Sequence, residues 1–185
     1  MIIAGVSLIL QLYSADISAR GVARNQPIKL AAFEGIYTTK EKTPVWLFGY
    51  VKDKKVIGVK IPGALSFLVH RNFKTPIQGL DSIDPKLWPN VPIVFQFYHF
   101  MIFFWGIMVL LVVSGIFFLK KKKNCKAIAL ALYSSVIIAE ITNQFGWFAA
   151  EMGRQPWTVQ GLLKTKKQNT CLLYTSDAAD DKARI

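Results

Sequence analysis

The sequence predicts an all-α integral membrane protein, with a partial first helix, a long extracytoplasmic loop and two transmembrane helices. Three observations predict it. The 185 residues are 52% hydrophobic, with a mean hydropathy of +0.33. Their apolar blocks are too long for an ordinary soluble domain. Two of those blocks, about 93–119 and 127–151, each exceed the roughly 20 residues that a bilayer-spanning helix needs. The densest basic run, Lys120 to Lys123, sits directly between them. A lysine cluster there marks the cytoplasmic ends of membrane helices. The formal charge of +12 is therefore read as membrane topology, not as a nucleic-acid surface. The two cysteines have no CxxC or zinc spacing, so neither a disulfide framework nor a zinc site is indicated. No cleavable signal peptide is visible.

Residues 1–14 open on an apolar run, MIIAGVSLILQLY, that is too short to span. It reads as the end of a truncated membrane helix, or alternatively as a short surface anchor. Residues 15–92 form a long polar loop with scattered aromatics. Within it, Pro27 suits a first helical turn and Lys29 to Glu34 are good helix formers. WLFGYVKDKKVIGVKIPG reads as a hairpin turning at Lys52 to Lys55, and GALSFLVHRNF as a further short helix. Prolines 76, 85, 89 and 92 punctuate the approach to the first full membrane helix, 93–119. A basic cytoplasmic turn, 120–126, leads into the second, 127–152. Pro156 should stop that helix near Arg154 or Gln155. The positive-inside rule puts the long loop and the segment 153–165 together on the outer side. Residues 166–185 continue no earlier pattern. CLLYTSDAAD reads as the translation of a sequencing adapter, so this tail is set aside as non-native.

Glu140, Gln144, Trp147 and Glu151 share one helical face, and acids in an apolar helix are expensive unless they have a partner or a task. Glu151 reads either as an interfacial carboxylate paired with Arg154 or as a metal or haem ligand with Arg154 balancing a nearby anion. Glu140 fits a proton relay or a hydrogen bond to Gln144 or Asn143. Trp147 and Trp157 read as core and interfacial aromatics, and Trp147 could also stack on a planar cofactor. Met101, taken alone, reads as core filler. His99 lies two residues away, on nearly the opposite face, and reads as a satisfied polar group. Gln26, Lys29 and Glu34 surround a short helix beside the membrane. They read as a solvated face, or as a site for a polar headgroup with Lys29 or Glu34 handling protons.

Two stretches carry a family resemblance. GRQPWTVQGLLKT, from Gly153 to Thr165, resembles the hallmark of subunit I of the cytochrome bd-type quinol oxidases. NQPIKLAAFEGIYTT, from Asn25 to Thr39, resembles that family's quinol-binding loop. FQFYHFMI and GWFAAEMGRQPW match its later helices in order and spacing. The resemblance covers about Ser14 to Thr165. It implies a membrane terminal oxidase that oxidises quinol on the outer side, reduces O2 to water and generates a proton-motive force. It implies two haems b and a haem d, or a third haem b, with a homologous subunit II as partner in the bacterial cytoplasmic membrane. By the same resemblance, Met101 corresponds to an axial ligand of low-spin haem b and Glu151 to the ligand of high-spin haem b. Trp147 lies between haems, and Arg154 beside the haem group. Gln26, Lys29 and Glu34 match the quinol-site positions. His99 departs from the family, which has arginine there. The helices carrying the histidine partner of Met101, the haem d ligand and the proton-path acids are expected to be missing from this stretch. A fragment so placed is expected to be inactive alone. The alternatives are a haem-binding electron-transfer subunit without oxygen chemistry, and a non-catalytic membrane scaffold.

Overall fold

Helix α4, Val91–Lys120, is the element against which the rest of the chain packs. The structure, a computed structural model, describes residues 2–120, 126–159 and 163–165. The basic connection at 121–125 and the tail at 166–185 lie outside the described residues. Helix α1, Ile2–Asn25, runs antiparallel to α4. Gly5 approaches Val112 and Ile116 at one end, and Trp105 Nε1 donates to Gln11 Oε1 at 3.3 Å nearer the other. Helix α5, Lys126–Met152, packs along the same helix through an aromatic zipper. Phe97 meets Phe145 and Phe148, and Phe104 stacks on Phe145 with centroids 5.7 Å apart. Such offset aromatic pairs add about 0.5–1.5 kcal/mol each beyond the area they bury. The last turns of α1 and α5 and the first of α4 therefore lie at one end of the bundle.

Among the described residues, one helix, Val91–Phe118, is long and apolar enough to cross a membrane, with a mean hydropathy of 2.6. Its Pro92 sits in the first turn, where a missing N–H breaks no helical bond. Helix α5 forms where expected and is about 40 Å long by helical rise. It ends at Met152, two residues earlier than the position of Pro156 alone suggests. The chain then turns through Gly153 to Pro156, with a cis Gln155–Pro156 bond, into β3, Trp157–Val159, which pairs with β4, Leu163–Lys164. The first helix departs from the expected boundary. It continues past the apolar run at residue 14 to Asn25, with Asp16 and Arg20 paired one turn apart at 2.5 Å on its polar half. Such an i,i+4 pair supports helix in a segment that hydropathy alone reads as loop.

The loop between α1 and α4 is ordered and has its own core. Helix α2, Pro27–Phe33, buries Ile28, Leu30, Ala31 and Ala32. These pack with Ile36, Leu65, Ile77, Leu80, Val91 and Val94. The expected hairpin is present as antiparallel β1, Val45–Lys52, and β2, Lys55–Ile61. The expected short helix is α3, Ala64–His70. Leu80 is fully buried, its N–H donates to Ile36 O at 3.0 Å, and its carbonyl accepts from Trp88 Nε1 at 2.9 Å. Leu80→Ala therefore removes core volume at the point where the loop returns to α4. It should cost about 2–5 kcal/mol, seen as a lower unfolding midpoint of tryptophan fluorescence in the assembled protein. An unchanged midpoint would show that this core does not hold the loop.

Candidate functional site

At the common end of the bundle, α2 lies across the C-terminus of α5. Gly153 makes this approach possible. A Cβ there would stand 2.8 Å from Ala149 O, 3.0 Å from Phe33 Cε1 and 3.3 Å from Lys29 Cγ. A side chain larger than hydrogen would push α2 away. The resulting cleft is lined by Gln26, Ile28, Lys29, Gly153, Arg154, Gln155 and Trp157. Its interior of about 20 Å³ has room for a water and not for a quinone ring. Burial pushes the Lys29 ammonium below its ordinary value, and the Arg154 charge pushes the same way, while Glu151 opposes both. Arg154 donates to Glu151 Oε2 at 2.5 Å, the i,i+3 pair expected from the spacing. Its Nε is buried and, among the described residues, has no hydrogen-bond partner.

Glu34 caps the C-terminal end of α2 and points elsewhere. Its backbone N–H donates to Leu30 O, and its side chain is 2% exposed, under β1. One carboxylate oxygen accepts from the Trp46 N–H at a long 3.5 Å. Burial drives its pKa up to about 8, partly offset by that amide. The neighbouring Tyr98 ring stacks on Phe33 at 4.7 Å, so α2 and α4 meet through aromatic faces beside the acid. Lys29 and Glu34, five residues apart, make no mutual ion pair, as their spacing implies. The structure thus divides the three loop residues. Gln26 and Lys29 join Arg154 at the cleft, and Glu34 lies in a separate apolar pocket.

Met101 is half-buried between α4 and α5. An added Cβ on Gly146 would lie only 2.8 Å from its sulfur, so the glycine opens the notch that the thioether fills. Trp147 is 58% exposed, and Glu151 on the same face is also part-exposed. Glu140, farther along α5, is exposed and accepts from Gln144 Nε2 at 2.6 Å, which realises one of its two expected roles. His99 is buried, with Nδ1 2.8 Å from Phe95 O and Nε2 2.9 Å from Trp46 O. Both ring nitrogens lie against backbone carbonyls, on a face away from Met101.

Trp46, Tyr98 and Gly146 were not singled out by sequence reasoning. The position of Trp46 depends on a hairpin docking on a distant helix, and that of Gly146 on the pairing of two helices. Neither leaves a local signal. The residues present fit a haem on the exposed face of α5. Glu151 offers a carboxylate, Trp147 an indole face, and Arg154 an orphaned donor suited to a second anionic group. Met101 offers a thioether of a kind that ligates haem iron.

The chain matches the family described as cytochrome bd terminal oxidase subunit I over residues 1–178. It is 29% identical over 169 residues to a Bacillus subtilis (strain 168) protein provisionally named a cytochrome bd menaquinol oxidase subunit I, covering 88% of this chain and 38% of that one. It is 28% identical over 167 residues to the cytochrome bd ubiquinol oxidase subunit 1 of the same organism, covering 82% and 36%. The chain therefore spans well under half the length of these curated relatives. Among solved structures, it superposes on the bd oxidase from Geobacillus thermodenitrificans with a TM-score of 0.68 at 28% identity, covering 97% of this chain and 45% of that one.

Proposed function

The chain belongs to the cytochrome bd terminal oxidase subunit I family, and on that premise we propose that it supplies the quinol-oxidising loop and two haem-contacting helices of a membrane quinol:oxygen oxidoreductase. One observation carries the reading. The loop buries a carboxyl whose pKa burial pushes up to about 8 beside the helix that bears Met101, at the bundle end where α5 and the turn after it present Glu151 and Arg154. A base that titrates near working pH is suited to accept a proton from a hydroxyl that is losing an electron.

In this reading Glu34 takes the proton of the quinol hydroxyl. Gln26 and Lys29 contact the headgroup, Lys29 as a donor whose proton affinity burial lowers. The tight cleft beside them must open for a ring to enter. Met101 and Glu151 would hold haem iron, with Trp147 against the macrocycle and Arg154 Nε toward an anionic substituent. Bound haem supplies one-electron transfer and oxygen binding, which no side chain here provides. In this reading α4 and α5 cross the bacterial cytoplasmic membrane with the loop outside, an orientation that the lysine-rich connection supports. Oxygen reduction with generation of a proton-motive force belongs to the assembly with subunit II and the rest of subunit I. The test is quinol-dependent oxygen uptake and haem absorbance in the subunit I–subunit II complex carrying this sequence. A complex that binds haem but consumes no oxygen with any quinol would refute it.

A further inference from the structure

The hairpin that covers Glu34 is a two-stranded ribbon, which is marginal by itself and depends on what it docks against. It meets α4 at three points. Gln96 Nε2 donates to Gly49 O at 3.0 Å, Phe48 packs edge-on against Phe103 at 5.7 Å, and His99 Nε2 lies 2.9 Å from Trp46 O. The third differs from the others in what it touches. Trp46 is the residue whose N–H reaches the Glu34 carboxylate. Its own ladder is irregular, because the register between β1 and β2 slips between Trp46 and Phe48. Pairing with β2 therefore does not by itself fix where the Trp46 peptide points.

The His99 ring is held on every side. It is 4% exposed, stacks on Phe95 at 3.9 Å and meets the edge of Tyr98 at 5.5 Å. Phe95 O faces Nδ1 and Trp46 O faces Nε2; a neutral ring carries one N–H and donates to one of the two carbonyls, and the tautomer with the proton on Nε2 is the one that reaches the hairpin. We infer that His99 is a positioning residue for quinol oxidation: in its Nε2–H tautomer it donates to the Trp46 carbonyl, and so anchors the residue whose N–H, in the adjoining peptide unit, reaches the Glu34 carboxylate. The inference rests on the reading of Glu34 as the quinol base. It assigns His99 a task on the loop, on the side of α4 away from Met101. From α4 the Tyr98 phenol also faces Glu34, and among the described residues no ionic partner acts on the acid. The Trp46 amide is thus the one hydrogen bond that favours the ionised carboxyl.

The experiment is a pH titration of the Glu34 carboxyl by infrared difference spectroscopy in the holoenzyme, with the pH profile of quinol oxidation measured alongside. His99→Leu should move the carboxyl titration upward by about 0.5–1 pH unit, because a charge-favouring hydrogen bond is lost. His99→Gln, whose amide can donate to the same carbonyl, should return it to within about 0.3 unit of the original. His99→Asn is too short to reach and should behave like His99→Leu. It supplies the comparison if the leucine variant does not assemble. The activity profile should shift in step with the carboxyl. A carboxyl that shifts while the activity profile stays fixed would keep the clamp and remove Glu34 from quinol oxidation. A carboxyl titration unchanged in both His99→Leu and His99→Asn overturns the inference.

Discussion

Glu34→Gln should lower quinol oxidation by at least about 100-fold, the usual range for removing a general base, while leaving haem absorbance unchanged. The same substitution should raise stability above neutral pH. Glu34 is buried, and burial lifts its folded pKa to about 8, well above the ordinary carboxylate value of 4.5. Between those values the folded protein binds a proton that the unfolded chain releases, so stability falls as pH rises through that window. Above about pH 8 the carboxylate is ionised in both states. The full penalty is then present, on the order of several kcal/mol. Glutamine carries no charge and escapes it. The difference in unfolding midpoint between variant and parent should therefore be small near pH 5, grow toward pH 8 and level off beyond. A midpoint difference independent of pH would mean that Glu34 is not buried as an acid. A variant that gains stability and still oxidises quinol would separate Glu34 from the reaction.

The activity of the parent enzyme should follow the same group in the opposite sense. At pH 7 about a tenth of Glu34 is in the base form, so quinol oxidation should rise with pH up to about 8. Function thus favours the ionised acid that folding disfavours. That conflict is expected where a chain keeps a buried titratable group for chemistry.

How much of this was legible in the sequence depends on how local the cause is. Helix α4 was plain, because nothing but apolar packing explains a run such as FMIFFWGIMVLLVVSGIFFL. The hairpin was plain because β-branched runs flank a lysine-rich turn. The continuation of α1 to Asn25 was missed because residues 15–25 are polar, although the Asp16–Arg20 spacing was available as a helical signal. The i,i+3 pairing of Glu151 with Arg154 and the one-turn pairing of Glu140 with Gln144 followed from helical spacing alone. The burial of Glu34 did not. In KLAAFEG it ends an amphipathic turn, and only β1 folding back from residue 45 and α4 arriving with Tyr98 take it out of water. The division of Lys29 from Glu34 likewise needed Gly153 to bring α5 against one side of α2.

Met101→Leu should abolish the low-spin haem b absorbance of the assembled subunit while leaving the fold in place. Leucine and methionine have similar volume, and such exchanges usually cost under about 1.5 kcal/mol. What leucine lacks is the thioether lone pair, and no packing change can supply a ligand to iron. The alternative for this methionine is core filler, which predicts an unchanged spectrum from the same substitution. Gly146→Ala makes a second, independent probe. It leaves the sulfur present but places a methyl 2.8 Å from it, so the side chain must swing out of the α4–α5 seam. If Met101 ligates from within that seam, Gly146→Ala should shift the low-spin spectrum without removing it. If the thioether already leaves the notch to ligate, the alanine should leave the spectrum as it was. An intact low-spin spectrum in Met101→Leu would return this residue to packing alone and leave Glu151 as the haem ligand on this chain.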